Sequence, residues 1–103
     1  MSKSKFITDK LTELILGDGS IIKVRAVLSF QEYQSFLKAS DYGKNPLDGA
    51  PALLKASLKE WDFKDGEGVA VPCNEENIDK LSGEAVIEIL NLLLPLYTPE
   101  KKN

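Results

Sequence analysis

The sequence contains no histidine and only one cysteine, Cys73, so it is poor in the side chains that bind transition metals. A structural zinc site needs a full set of nitrogen or sulfur ligands, which these residues do not provide. A lone cysteine also leaves no intrachain disulfide, which agrees with a reducing compartment. We therefore expect neither a metal site nor a cofactor.

Two further absences bear on the partners of this protein. The longest apolar run, residues 85–97, is shorter than the ~20 residues that cross a bilayer, and the start MSKSKFITDK lacks the apolar stretch of a signal peptide. The lysines are scattered and the net charge is -3, whereas nucleic-acid binding normally requires a concentrated basic surface. We expect a cytoplasmic protein that binds neither membrane nor nucleic acid.

The length and composition are those of one globular domain. At 103 residues, with 43% of them hydrophobic, the chain can bury a modest core. No internal repeat or change in composition divides residues 1–103. The segments 1–9 and 98–103 are polar and predict flexible tails on this single domain.

A β-hairpin is expected near the N-terminus. The tripeptide GDG at 17–19 lies between two β-rich runs, which is a strong local signal for a hairpin over about 11–28. In the second run Ile22, Val24 and Ala26 fall on one face, and the charged side chains fall on the other. The apolar face is therefore predicted to meet the core.

A helix is predicted to follow this hairpin directly. Ser29 and Glu32 have the spacing of a capping box, in which each side chain accepts a hydrogen bond from a backbone N–H at the helix start. The apolar residues then recur at helical spacing to about Ala39. Residues 40–51 are dense in Gly, Pro, Asn and Asp and predict an exposed loop.

The second half of the chain predicts two more helices and a short hairpin. Pro51 suits the first turn of a helix whose apolar stripe reaches Trp61. Residues 62–72 read as a strand, a Gly-rich turn and a second strand. Asn74 suits an N-cap, and a final helix is expected from about residue 83 to about residue 94.

These elements predict the α+β fold class. Their order is an N-terminal β-hairpin, two central helices, a short second β-hairpin and a C-terminal apolar helix. The pattern leaves open whether the two hairpins share one sheet or form separate ribbons.

The acidic turn DFKDGEG at 62–68 is the first candidate for chemistry. Calcium loops require oxygen ligands at alternate positions, and with Asp62 as the first ligand Lys64 occupies the third position. With Asp65 as the first ligand, Val69 occupies the fifth. Cys73 lacks a histidine that would activate it as a nucleophile. We therefore expect a protein without catalytic, cofactor-binding or metal-binding residues, which is not an enzyme.

The final helix carries more apolar surface than a helix on a small core requires. At helical pitch Val86, Leu90 and Leu93 lie on one face, whereas Ile87 and Leu94 lie on another. Either the other elements cover both faces, or part of the surface contacts another chain. Both possibilities stay open at this point.

The order of the elements and one stretch of sequence resemble the small tail assembly chaperones of long-tailed (siphovirus-type) bacteriophages and prophages. Members of that family often have a Trp-Asn/Asp pair, an acidic Gly-containing turn, a Val-Pro pair and a phrase like Thr/Asn-x-Glu-Asn-Ile/Val-x-x-Leu. The corresponding residues here are Trp61-Asp62, Asp65 to Gly68, Val71-Pro72 and Asn74 to Leu81. The resemblance is closest over about residues 54–90.

The resemblance implies a protein of virion morphogenesis in the bacterial host cytoplasm. It would oligomerise, bind the tape-measure protein and help to recruit tail-tube subunits. The aromatic residues of the first helix and the surplus apolar residues of the last helix are then candidates for protein interaction, namely Phe30, Tyr33, Phe36, Ile87, Leu94 and Tyr97. The alternative is a small regulatory or antitoxin-like interaction protein of a phage or prophage.

Overall fold

A computed structural model describes residues 10–97, so the predicted tails at 1–9 and 98–103 lie outside the described residues. The α+β class is confirmed. The elements in chain order are β1 (Leu11–Ile15), β2 (Ile21–Arg25), α1 (Phe30–Ala39), α2 (Pro46–Ser57), β3 (Leu58–Trp61), α3 (Glu75–Ile78) and α4 (Gly83–Tyr97).

The N-terminal hairpin forms as predicted. Strands β1 and β2 are antiparallel, with Leu14 opposite Ile22. In the turn, Gly19 has a φ of 90°, a left-handed conformation that glycine adopts without steric cost. The side chains of Ile22 and Val24 are fully buried, which confirms the predicted core-facing side of β2.

The capping box of α1 is also confirmed. The Ser29 Oγ accepts a hydrogen bond from the Glu32 N–H at 3.1 Å, and the Ser29 N–H donates to the Glu32 Oε1 at 2.9 Å. The helix ends at Ala39, followed by a turn in which Asp41 and Tyr42 both have positive φ. Thus the sequence predicted both ends of α1.

The second helix differs from the prediction at both ends. It begins at Pro46 rather than Pro51, so half of the expected loop is helical. Proline is favourable at the first helical position, and Gly49 lets α2 approach α1, since a Cβ there would lie 2.8 Å from the Phe36 Cδ1. Close packing of two helices therefore outweighs the local preference of a Gly- and Pro-rich segment for a loop.

The helix also ends earlier than predicted, at Ser57. Residues from Leu58 to Trp61 form β3, which pairs antiparallel with β2 and places Leu58 opposite Val24. Leu58 and Val24 are both buried, so the apolar side chain reaches the core from a strand as well as it would from a helix. The sheet has the strand order β1-β2-β3.

The predicted second hairpin is reduced to a turn and one bridge. Lys64 pairs with Ala70 in an isolated antiparallel bridge. The Asp65 Oδ1 accepts hydrogen bonds from the backbone N–H groups of Glu67 and Val69 at 2.8 and 3.0 Å, which fixes the turn. The strands predicted on either side of this turn do not form as regular strands, whereas β3 lies in residues 58–61, where a helix was expected.

Helices α3 and α4 begin where the sequence predicts. The Asn74 Oδ1 caps α3 by accepting from the Asn77 N–H at 2.8 Å, and the Ser82 Oγ accepts from the Ala85 N–H at 3.2 Å. Helix α4 continues past Pro95 to Tyr97 instead of ending near residue 94. None of the helices within residues 10–97 is both long and apolar enough to cross a membrane.

One hydrophobic core joins the sheet to the helices. Its buried residues come from β2, β3 and all four helices, and they include Ile22, Leu53, Leu58, Ile89 and Leu93. The side of the sheet that carries Glu13 and Lys23 faces away from this core. The candidate interaction residues can therefore be sorted by whether they belong to the core or to the surface.

Candidate functional site

An apolar groove lies where the start of α1 meets the end of α4. It has a volume of about 460 Å³. We call this surface the Phe30 groove. It is lined by Ala26, Val27, Leu28, Ser29, Phe30, Tyr33, Leu96 and Tyr97. The fold thus brings together three of the predicted interaction residues, Phe30 and Tyr33 of α1 and Tyr97 of α4, although the two helices are far apart in the sequence.

Phe30 is the most exposed large apolar side chain of this groove. It is 78% exposed, and Leu96 across the groove is 41% exposed. Because the capping box fixes Ser29 just before the helix, Phe30 occupies the first helical position, where the rest of α1 does not cover it. Two such side chains on one surface are typical of a contact region.

Tyr97 ties the end of α4 to the end of β2. Its hydroxyl donates a hydrogen bond to the Arg25 carbonyl oxygen at 2.5 Å. Burial raises the pKa of Tyr97 from its ordinary value near 10 to about 12, so the hydroxyl stays a hydrogen-bond donor to a higher pH than that of an exposed tyrosine. This hydrogen bond holds one wall of the groove against the sheet.

An ion pair supports the opposite wall. The Arg25 Nη1 lies 2.6 Å from the Glu32 Oε2, and both side chains are mostly buried. Partial burial raises the pKa of Glu32, but the hydrogen bonds from Ser29 and the charge of Arg25 outweigh it and lower the pKa overall. The same carboxylate therefore caps α1 and neutralises Arg25 beside the groove.

The predicted interaction residue Phe36 does not lie on the surface. It is only 5% exposed and packs in the core, with its ring centroid 6.4 Å from that of Tyr33. The cause is α2, whose Gly49 lies against the Phe36 ring. Since the sequence suggested a loop in place of this part of α2, the covering of Phe36 was not expected.

A second apolar groove lies between α2 and the start of α4. Leu47 and Ile87 form its exposed rim, with Pro51, Leu81 and Val86 between them, and its volume is about 270 Å³. We call this surface the Ile87 groove. Ile87 is 49% exposed, in agreement with the prediction that it lies away from the core-facing side of α4.

Leu94, the remaining predicted residue, lies in neither groove. It is partly buried and packs against the core. The apolar residues of α4 are thus divided between the core and two separate surface grooves.

A third concave surface is a cleft of about 800 Å³ beside Trp61. The Trp61 and Phe63 rings stack in its wall with centroids 4.9 Å apart. Asp18 and Lys64 also line this cleft. A hydrogen bond from the Ser20 N–H lowers the pKa of Asp18, which keeps that carboxylate ionised rather than poised as an acid.

Asp62 and Asp65, which were considered as calcium ligands, accept hydrogen bonds from backbone N–H groups. The Asp62 Oδ1 accepts from the Ile21 N–H at 2.9 Å, and Asp65 closes its own turn. Burial raises the pKa of the Cys73 thiol, which disfavours the nucleophilic thiolate. Within residues 10–97 no group of three or more His, Cys, Asp and Glu side chains is placed to hold a metal ion.

The sequence did not suggest Leu47 as a surface residue of a helix. The signal that could have placed it there is the pair Asn45-Pro46, which fits an N-cap followed by proline at the first helical position. The signal for Leu96 is the helical pitch of the last helix, which places it beside the face that carries Tyr97.

Comparison with known proteins finds no family model that matches this chain, no similar curated protein and no solved structure of similar fold.

Proposed function

We propose that this protein is a non-enzymatic tail assembly chaperone of a long-tailed phage or prophage. In this proposal it acts in the bacterial cytoplasm, oligomerises, binds the tape-measure protein and helps to recruit tail-tube subunits. The proposal rests on the sequence resemblance and on the apolar surface that the fold leaves exposed.

The residues that carry the resemblance have structural roles in this fold, which is what the proposal requires of them. The Trp61 Nε1–H donates a hydrogen bond to the Val71 carbonyl oxygen at 2.5 Å, and Asp65 and Asn74 fix the turn and the helix start that follow. Together they connect the sheet to α4. Their residue types are therefore explained by the position they give to α4, without any chemistry of their own.

The observation that carries the proposal is the Phe30 groove. A tape-measure protein is expected to be a long helical protein whose apolar face needs cover before assembly. An amphipathic helix binds to a partner by inserting apolar side chains into such a groove. Phe30 and Leu96 provide exposed apolar contacts on its two sides, and the bonded side chains of Tyr97 and Arg25 hold the walls in place.

The Ile87 groove supports the proposed oligomerisation. It is separated from the Phe30 groove along α4, since Ile87 lies near the start of the helix and Leu96 near its end. One surface can therefore contact a second copy while the other contacts the client. Exposed apolar patches of this kind usually mark protein interfaces.

Co-expression with the long helical protein encoded in the same gene cluster tests the proposal. We expect the two proteins to co-purify, and we expect Phe30→Ser to reduce the amount of client recovered. Val69→Ser is the matched control, because Val69 is 58% exposed but lies on the Asp65 turn. A protein that stays monomeric, does not recover the client and is retained on DNA at moderate salt would instead support the regulatory alternative.

A further inference from the structure

The outer edge of β1 has no partner strand within the described residues 10–97. Strand β1 pairs with β2 on one side only, and β3 occupies the far side of β2. An open edge presents unpaired backbone N–H and C=O groups on which another extended chain can add a strand.

The register of the hairpin identifies the unpaired groups. The Leu16 N–H donates to the Ser20 carbonyl at 2.8 Å, and the Lys10 carbonyl accepts from Ala26 at 3.1 Å. Because hydrogen-bonded positions alternate along an antiparallel strand, even-numbered residues of β1 point their backbone groups toward β2. The N–H and C=O groups of Leu11, Glu13 and Ile15 therefore point outward.

The side chains of these residues lie on the face of the sheet that is turned away from the core. On that face Glu13 is opposite Lys23, and Lys23 is opposite Glu60, so the charge alternates from strand to strand. Beside this row Ile15 is opposite Ile21, and Ile15 is 63% exposed. A fourth strand next to β1 would continue the charge alternation with a basic residue opposite Glu13.

We propose that the β1 edge binds an extended segment of another protein with the pattern apolar-x-Lys/Arg-x-apolar. The segment adds as an antiparallel fourth strand. Its basic residue lies opposite Glu13, and its apolar residues lie opposite Leu11 and Ile15. Opposite charges on directly facing residues stabilise a strand pair, as do facing apolar residues.

Two observations disfavour a second copy of this chain as the occupant. In a dimer through this edge, the outward-pointing backbone groups of the two β1 strands must face each other. The symmetric pairing that overlaps the whole of β1 therefore places Glu13 opposite Glu13 of the other copy. Facing like charges destabilise a strand pair. In addition, Lys44 is the only Lys or Arg of the printed 103 residues with apolar residues two positions away on both sides, namely Tyr42 and Pro46. That segment is a turn in which Tyr42 and Gly43 have positive φ, so it is not an extended strand. The basic strand therefore comes from a different protein.

This site goes beyond the proposed function and does not depend on it. The client considered above is helical and is proposed to bind the Phe30 groove, which residues of α1 and α4 line. The β1 edge needs an extended chain, so loss of one interaction leaves the other measurable.

The test is an NMR titration with the peptide acetyl-Thr-Val-Thr-Lys-Thr-Val-Thr-amide and with its counterpart carrying Glu in place of Lys. We expect the Lys peptide to bind about five- to tenfold more tightly than the Glu peptide, and Glu13→Lys to reverse this preference. On binding, the amides of Leu11, Glu13 and Ile15 should become protected from hydrogen exchange.

The peptide itself provides a control that leaves the protein unchanged. Methylation of the Lys backbone nitrogen removes the N–H that faces Glu13, and we expect it to abolish binding. Equal affinities of the Lys and Glu peptides, protection at other residues, or no binding at all would each overturn the proposal. Protection of the same amides without peptide, together with dimer formation, would identify a second copy as the occupant and contradict it as well.

Discussion

Tyr97 shows how a single side chain links the sheet to the candidate interaction surface. It lines the Phe30 groove, and its hydroxyl is bonded to the backbone of Arg25 at the end of β2. Replacing it with phenylalanine keeps the ring but leaves the Arg25 carbonyl without this donor. We expect Tyr97→Phe to lower the free energy of unfolding by about 1 kcal/mol at neutral pH.

The same residue predicts a dependence on alkaline pH. Because the folded state raises the pKa of Tyr97 from its ordinary value near 10 to about 12, its contribution to stability is complete below about pH 10 and is lost as pH rises through about 12. Urea unfolding across this range should show a smaller alkaline loss of stability for Tyr97→Phe than for the unchanged protein. Equal losses would show that the buried hydroxyl is not responsible.

Gly49 is the residue that sets the distance between α1 and α2. A Cβ at this position would lie 2.8 Å from both the Phe36 Cδ1 and the Ser40 Cβ, which are buried. Although alanine favours helices, we expect Gly49→Ala to lower the free energy of unfolding by about 1–3 kcal/mol because the core is overpacked.

A matched glycine separates this crowding from a general effect of alanine. Gly66 has no atom within 4 Å of a Cβ built on it. Gly66→Ala should therefore change the free energy of unfolding by no more than about 0.5 kcal/mol in the same urea titration. A stable Gly49→Ala variant would contradict the close packing of α1 and α2.

At the scale of elements, features controlled by neighbouring residues could be predicted from the sequence. The GDG turn and the Ser29-Glu32 box each form through contacts within a few residues, and both are where the sequence indicated. The division between α2 and β3 depends instead on pairing with β2, which is distant in the sequence. Leu58 is apolar at a helical spacing from Leu54, so the local pattern could not show that it belongs to a strand.

Helix α4 contains the sharpest contrast between core and surface. Leu90 is 5% exposed, whereas Ile87 lies on the rim of the Ile87 groove. An unpaired carboxylate in the core costs several kcal/mol, so we expect Leu90→Asp to remove most of the stability of the protein.

The matched substitution Ile87→Asp should lower the free energy of unfolding by no more than about 1 kcal/mol, since it affects helix propensity more than burial. If the Ile87 groove is the oligomer contact, Ile87→Asp should also reduce self-association measured by sedimentation. Thermal unfolding compares the stability of Leu90→Asp with that of Ile87→Asp, and we expect a much lower melting temperature for Leu90→Asp. Similar melting temperatures would show that α4 has no such division.

At the scale of the whole molecule, the contact surface is assembled from parts that the sequence keeps apart. Phe30, Tyr33 and Tyr97 were suggested individually by their aromatic character and helical spacing, and the fold places all of them in one groove. Phe36 fits the same pattern but is covered by α2. Helical periodicity identifies a face of a helix, whereas only the packing of other elements decides which part of that face remains open.

The most direct measurement for the proposed function is the affinity of the purified protein for its long helical client, determined for the unchanged protein, Phe30→Ser and Val69→Ser. Truncation of a central apolar contact typically costs more than about 1.4 kcal/mol, so we expect Phe30→Ser to weaken binding at least about tenfold. Val69→Ser should bind like the unchanged protein. Equal affinities of all three proteins, with both variants folded, would contradict client binding in the Phe30 groove.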